Sequence, residues 1–171
     1  MVLPVFAYGH PLLRKVCSDI TPEYPDLEKL IQDMWDTTYY TNGVGLAAPQ
    51  VGIGKRIMVT DPSAGEKRNQ LITIFNPEIA DSEGEQLEEE GCLSIPGFSA
   101  VVLRPKKVIL KGMDLNGKEI TVEGKDLLAR AFCHEMDHLN GVFFLDHLSF
   151  LKRDLIKRKI RKLVKQGEWE S

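Results

Sequence analysis

Cysteine is scarce in this chain: Cys17, Cys92 and Cys133 are the whole complement, and no two form a CxxC pair. That pattern excludes a disulfide framework and fits a reducing cytosol. No apolar run approaches the ~18 residues needed to span a membrane. The opening Met1-Val2-Leu3-Pro4-Val5-Phe6 lacks the charged and long apolar regions of a secretory signal, and the Arg and Ser of a transit peptide. The expected location is the bacterial cytoplasm, with a processed organellar form left open. Internal repeats and long linkers are absent, and the glycines at 43, 45 and 52 do not complete a GxGxxG dinucleotide fingerprint. Charge of neither sign dominates, since the net value is −3. It is unevenly spread, acid-rich over 81–90 and strongly basic over 152–165. The overall balance argues against a dedicated DNA or RNA binder.

What is present suits one domain over 1–171, because 171 residues with 43% hydrophobic content can bury a single core. Apolar spacing predicts a helix over 25–41, with Leu27, Leu30, Ile31, Met34, Trp35 and Thr38 as its stripe, closed at Asn42-Gly43 by a residue needing positive φ. Short β-branched runs predict strands at 56–60, 71–75, 101–103, 107–111 and 119–122, with a hairpin turn at Leu115-Asn116-Gly117-Lys118. A helix follows over 124–140, closed by Gly141. A last one covers 150–165, its apolar side formed by Leu151, Leu155, Ile156, Ile160, Leu163 and Val164 and docked on the core. Strands gathered between helical ends give an α+β class: antiparallel or mixed sheets around a central helix, plus a C-terminal helix. The Gly-rich segment after the first helix reads as a loop serving as a backbone rail, where small residues let another chain approach and Gln50 offers a neutral amide.

The central helix carries His134-Glu135-Met136-Asp137-His138. At ~100° and ~1.5 Å per residue, positions four apart lie one turn along on one face. Both imidazoles can hold one ion, and Glu135 on the flank can reach a water beside it. A catalytic divalent metal takes three protein ligands, so a third is required. Downstream, Asp146, His147, Asp154, Glu168 and Glu170 do not build the HExxHxxGxxH extension. Upstream, Glu90-Gly91-Cys92-Leu93-Ser94 is the better source, because a thiolate suits borderline metals and the flanking Gly and Pro96 suggest a turn presenting it. Cys133 points ~100° away from His134 and reads as a buried hydrophobe, as does Cys17. His10 and His147 read as structural or solvated.

Leu127, Arg130 and Ala131 share the face of His134 and would line a pocket for an unbranched side chain, with the Arg130 stem on the wall and its charge in water. For Leu127, plain packing on the sheet is an equal reading. Asp137 is placed to orient a ligand or hold a cation, with an ordinary surface carboxylate as the alternative.

Three motifs stand in order, Gly43-Val44-Gly45-Leu46-Ala47-Ala48-Pro49-Gln50, then Glu90-Gly91-Cys92-Leu93-Ser94, then His134-Glu135-Met136-Asp137-His138. With Gly9-His10-Pro11-Leu12-Leu13-Arg14 at the start, the chain resembles the peptide deformylases over nearly its whole length. The resemblance implies removal of the formyl group from N-formylmethionine on new polypeptides. It implies Cys92, His134 and His138 as metal ligands and Glu135 as general acid/base. Gln50 (side-chain amide) and Leu93 (backbone N–H) would bind the oxyanion, with Gly45 and Val44 on the substrate and Arg104 beside Asp137. It also implies Fe²⁺ as the physiological ion, although a Cys-His-His set suits Zn²⁺, Ni²⁺ or Co²⁺ too. Ser99 departs from relatives that carry Arg near the substrate entrance. The expected partners are an N-formylmethionyl peptide and, through the basic last helix, the ribosome, with no membrane or DNA and a monomeric state. The alternatives are another metal-dependent peptidase or amidohydrolase, and a catalytically silent binding homologue.

Overall fold

The alternation of buried and exposed side chains sets the sheet. In the strand Lys107–Met113, Val108 and Leu110 are buried while their neighbours are not, so one face is apolar and must be covered. The computed structural model describes residues 1–67 and 70–171. Its elements in chain order are α1 (Leu27–Tyr40), β1 (Gly45–Ala47), β2 (Ile57–Thr60), β3 (Ile72–Glu83), β4 (Gln86–Cys92), β5 (Ile95–Arg104), β6 (Lys107–Met113), β7 (Glu119–Lys125), α2 (Leu127–Leu139) and α3 (Phe150–Lys165). Five strands form one sheet in the order β1-β2-β3-β6-β7, and β4 pairs with β5 in a second. All these pairs are antiparallel. The class is α+β.

Helix α2 covers the apolar face. Ala129, Phe132, Cys133, Met136 and Leu139 pack with Met58, Ile74, Val108 and Leu110, while Leu46, Ile57, Val59 and Phe75 meet α1 through Ile31 and Met34. Buried on nearly every side, α2 is a core helix, so polar groups on it are desolvated and need partners. Among the described residues no helix is long and apolar enough to cross a membrane.

Several expectations are corrected. The first helix is shorter than expected, from Leu27 to Tyr40, while the positive φ expected at Asn42-Gly43 is present, at Asn42 (51°), which tolerates that region. Gly124 is a strand residue, not a helix start: a β-carbon there would lie 2.7 Å from the Phe132 ring, so it marks where α2 nests against β7. The strand expected over 71–75 runs to Glu83, and the one expected over 101–103 spans Ile95–Arg104. Strand β4 lies in the acid-rich segment and was not expected, because its carboxylates conceal the alternation. The segment read as a loop holds β1 and a 3-10 turn over Ala48–Val51.

Helix α3 keeps its expected bounds but not its stripe. Ile156 and Ile160 are buried with Leu163 beside them, while Leu151, Leu155 and Val164 are exposed. The helix touches the core along a single i, i+4 line, and the chain beyond it folds back instead. Trp169 is buried against Phe98 and donates its indole N–H to the Tyr8 carbonyl at 2.9 Å.

Candidate active site

Two elements bring together three side chains that could hold a metal ion. Cys92 closes β4, and Leu93-Ser94 turn the chain into β5, so the thiol sits at a hairpin end. His134 and His138 come from α2, one turn apart. The Cys92 Sγ lies 3.2 Å from His138 Nε2, which lies 3.2 Å from His134 Nε2, and the three donor atoms fall within 4.8 Å of one another. Ligand bonds of about 2.0–2.3 Å at tetrahedral angles would separate such donors by about 3.3–3.6 Å. The donor set therefore fits a divalent ion. Glu135, 3% exposed on the same helix, has a buried Oε2 with no hydrogen-bond partner among the described residues. Burial pushes its pKa up to about 7, against the opposing pull of His134.

Glu90 organises the ligands from behind. Alternation along β4 turns it to the same side as Cys92, and it is 6% exposed. Its Oε2 accepts from His134 Nδ1 at 2.7 Å and Arg104 Nη2 at 2.7 Å, and its Oε1 accepts from Arg104 Nε at 3.1 Å and Arg130 Nη1 at 2.9 Å. Burial alone would raise its pKa, but His134 and Arg104 hold it well below the usual carboxylate range. With Nδ1 committed to Glu90, His134 has Nε2 left to offer an ion. Burial disfavours a cationic His134, but the neighbouring Cys92 and Glu90 outweigh it and hold the ring well above its ordinary value. A metal at Nε2 would replace that second proton. His138 is driven the other way, by burial and by His134.

Arg104 Nη1 also donates to Asp137 Oδ2 at 2.8 Å, and His147 Nε2 lies 2.8 Å from the same oxygen. His147 is thus at the outer end of the charge network, and His10 caps a 3-10 turn by accepting from Leu12 N–H. Cys133, pushed up to about 11 by burial, and Cys17 sit in the core cluster.

The site floors a cleft of about 400 Å³. Gly43, Val44 and Gly45 form one bank, Glu89 to Leu93 the other, and Leu127, Arg130, Ala131 and Glu135 the floor. A β-carbon on Gly45 would lie 2.8 Å from Glu135 Oε1, so the absent side chain gives that carboxylate its place. Strand β1 ends the sheet order and, among the described residues, pairs only with β2. Gln50, 1% exposed, is held by Ala47 N–H on Oε1 (2.9 Å) and by donation from Nε2 to Ser94 Oγ (3.0 Å), with Nε2 also 3.9 Å from Cys92 Sγ. Leu127, unlike the buried Arg130, Ala131 and Glu135 beside it, is half-exposed.

One expectation fails here. The Arg130 charge does not reach water: it is buried, ion-paired to Glu90 and bonded to the Val102 carbonyl at 3.1 Å. The attraction is stronger in the low-dielectric interior, though both groups are desolvated to form it, and a buried Glu90 left without its cations would be costlier still. Glu90 and Ser94 belong to the second motif, and their partners in the site are functional features that the motif alone does not assign. Parity was the available signal for Glu90, because a strand that turns Cys92 inward turns Glu90 inward too.

A thiol and two imidazoles beside a buried carboxylate, at the foot of a cleft bordered by a free strand edge, define a metal-dependent hydrolase. The sequence matches the family model described as polypeptide deformylase over residues 2–154. It is 50% identical over 160 residues to a peptide deformylase of Thermodesulfovibrio yellowstonii, covering 94% of this chain and 97% of that one. It is 44% identical over 169 residues to one from Acidobacterium capsulatum, covering 99% of each. A solved peptide deformylase structure from Legionella pneumophila superposes with a TM-score of 0.89 at 40% identity, covering 100% of both chains. The chain belongs to the polypeptide deformylase family, which is metal-dependent, and it removes the N-terminal formyl group from polypeptides.

Proposed function

We propose that Cys92, His134 and His138 hold one divalent ion and that Glu135, Gln50 and Leu93 perform the deformylation of N-formylmethionyl chains. The observation that carries this reading is the convergence of three donor atoms within 4.8 Å beside the unpartnered Glu135 Oε2. Such an ion acts as a Lewis acid that makes hydroxide available near neutral pH. Fe²⁺ is the physiological choice, and Zn²⁺, Ni²⁺ or Co²⁺ can replace it, because all suit nitrogen and thiolate donors.

Glu135 takes the proton released when water attacks the formyl carbon, and returns it to the departing amine as formate leaves. A Gln50 Nε2–H and the Leu93 N–H donate to the developing oxyanion, and the tethering of Gln50 by Ala47 and Ser94 orients its amide beforehand. Backbone groups of Val44 and Gly45 align the substrate chain along the free edge of β1. Leu127, Ala131 and the Arg130 stem take the methionine side chain. Arg104 and Asp137 tie β5 to the ligand-bearing turn of α2. A formyl group has no side chain, so a narrow site rejects acetylated ends by size.

The test is anaerobic purification with elemental analysis, then turnover of formyl-Met-Ala-Ser against acetyl-Met-Ala-Ser. One metal per chain and cleavage of the formyl peptide alone are expected; equal cleavage of both would overturn the reading. Residues 1–171 act as one domain and one monomer, in the bacterial cytoplasm, in keeping with bacterial relatives. The eight Lys and Arg of α3 beside exposed Leu151 and Leu155 support ribosome contact. Salt-sensitive cosedimentation that is lost on deleting residues after Leu151 is expected. Its absence at low salt would end that part of the reading.

A further inference from the structure

The β4–β5 sheet has a second face. While Glu90, Val102 and Arg104 turn inward and are buried, Leu87, Glu89 and Gly91 stand on the other face opposite Leu103, Val101 and Ser99. Glu89 and Gly91 line the cleft, and Ser99 Oγ donates to Glu89 Oε1 at 2.7 Å. Next along the ribbon come Leu87, Val101 and Leu103, which are 67%, 52% and 54% exposed. A solvated sheet face ordinarily alternates to polar side chains. Here three large aliphatic groups meet across one strand pair, and the strip they form starts where the cleft ends.

We propose that this strip extends the substrate site and takes apolar side chains of the polypeptide from about its fourth residue onward. The inference rests on the deformylase reading of the cleft. Extended chain advances about 3.4 Å per residue, so a substrate anchored by its first residue beside Cys92 draws level with Glu89 and its cross-strand partner Val101 about three residues later, at its fourth residue, and with Leu87 about two residues further on. The occupant is then the substrate itself, because the strip is continuous with the bank that holds it. An unfolded new chain supplies the exposed apolar side chains that such a surface favours. Short formyl peptides never touch the strip, so their turnover is independent of it.

The experiment compares kcat/KM for formyl-Met-Ala-Ser with two extensions of it, one ending Leu-Val-Leu and one ending Ser-Gly-Ser. Each cross-strand apolar contact of this kind changes a free energy enough for about two- to fivefold in rate, and the apolar extension is expected to lead by about that factor. Leu87→Ser with Leu103→Ser should erase the lead and leave tripeptide turnover unchanged. Val101→Thr, which keeps the β-branch, gives the same reading if the double variant fails to fold. Equal rates for the two extensions in the wild type, or a lead that survives the substitutions, would overturn the proposal. A wild type inactive on the tripeptide would instead sink the deformylase reading. Sedimentation velocity completes the test. A dimer that dissociates in the double variant while the lead is unchanged assigns the strip to a second copy and overturns the proposal.

Discussion

Glu135 and Gly45 show how closely single positions are set. Because the carboxylate is buried beside both imidazoles without being a ligand, Glu135→Ala is expected to retain the metal and lose about 10²- to 10⁴-fold in kcat. Near-wild-type turnover would remove Glu135 from the mechanism. Cys92→Ala should instead yield protein without stoichiometric metal in elemental analysis. Gly45→Ala inserts a methyl group 2.8 Å from Glu135 Oε1. Its expected signature is a fall in kcat with metal content preserved, and unchanged kcat would mean that the carboxylate is free to move. These roles differ in how far they were legible. The His-x-x-x-His spacing and the lone motif cysteine carry their chemistry in residue type. The clamp on Glu90 does not, since it depends on Arg104 and Arg130 arriving from a strand and a helix that the chain order keeps apart.

At the scale of elements, periodic helices and short β-branched strands such as β2, β6 and β7 are readable, while the three-residue β1 and the charged β4 are not. The bounds of α3 follow from Ser149, whose side chain accepts from Lys152 N–H, and from the run of helix formers behind it. Its buried face was misjudged because amphipathic spacing gives no sign of Trp169 returning to the Tyr8 carbonyl. Strand β4 was missed because its outward carboxylates mask a two-residue period. The junction before α3 makes an electrostatic prediction. Arg14 holds Asp146 through contacts of 2.6 and 3.2 Å, and Asp146 Oδ2 also accepts from Phe143 N–H at 2.9 Å. Burial would raise the Asp146 pKa, yet Arg14 and that N–H depress it. A depressed folded-state value gives stability that is full above the unfolded carboxylate range and is lost as pH falls through the folded value. The Tm difference between wild type and Asp146→Asn should therefore be largest near neutrality and shrink as the pH is lowered toward 3. A difference that is constant with pH would assign the effect to packing.

For the whole molecule, the charge map separates tasks that the net value of −3 conceals. Cations concentrate on α3, and carboxylates on the end of β3 and along β4, which leads into the cleft. The opposed charges at the site are internally balanced, with Glu90 and Asp137 facing Arg104 and Arg130. This balance bears on what holds the fold together. In small metal-dependent folds the ion is the core, and removing it unfolds the chain. Here the scaffold has its own core clusters and its own buried ion pairs, so chelator-treated protein is expected to keep its far- and near-ultraviolet circular dichroism and a cooperative melt. Loss of the near-ultraviolet signal on chelation would contradict this.

The Glu90 clamp has a further consequence, for the order of events as the chain folds. Of the three proposed ligands, two lie on one helical turn and can meet early, but Cys92 is 46 residues from His138 and joins them only when the hairpin docks on α2. Glu90 and Arg104 are on that same hairpin, so the docking that delivers the thiol also locks the His134 ring. On the proposed ligand set, a newly made molecule can therefore assemble its full donor set only once this hairpin has docked on α2, so the site is a product of tertiary structure and not of the helix alone.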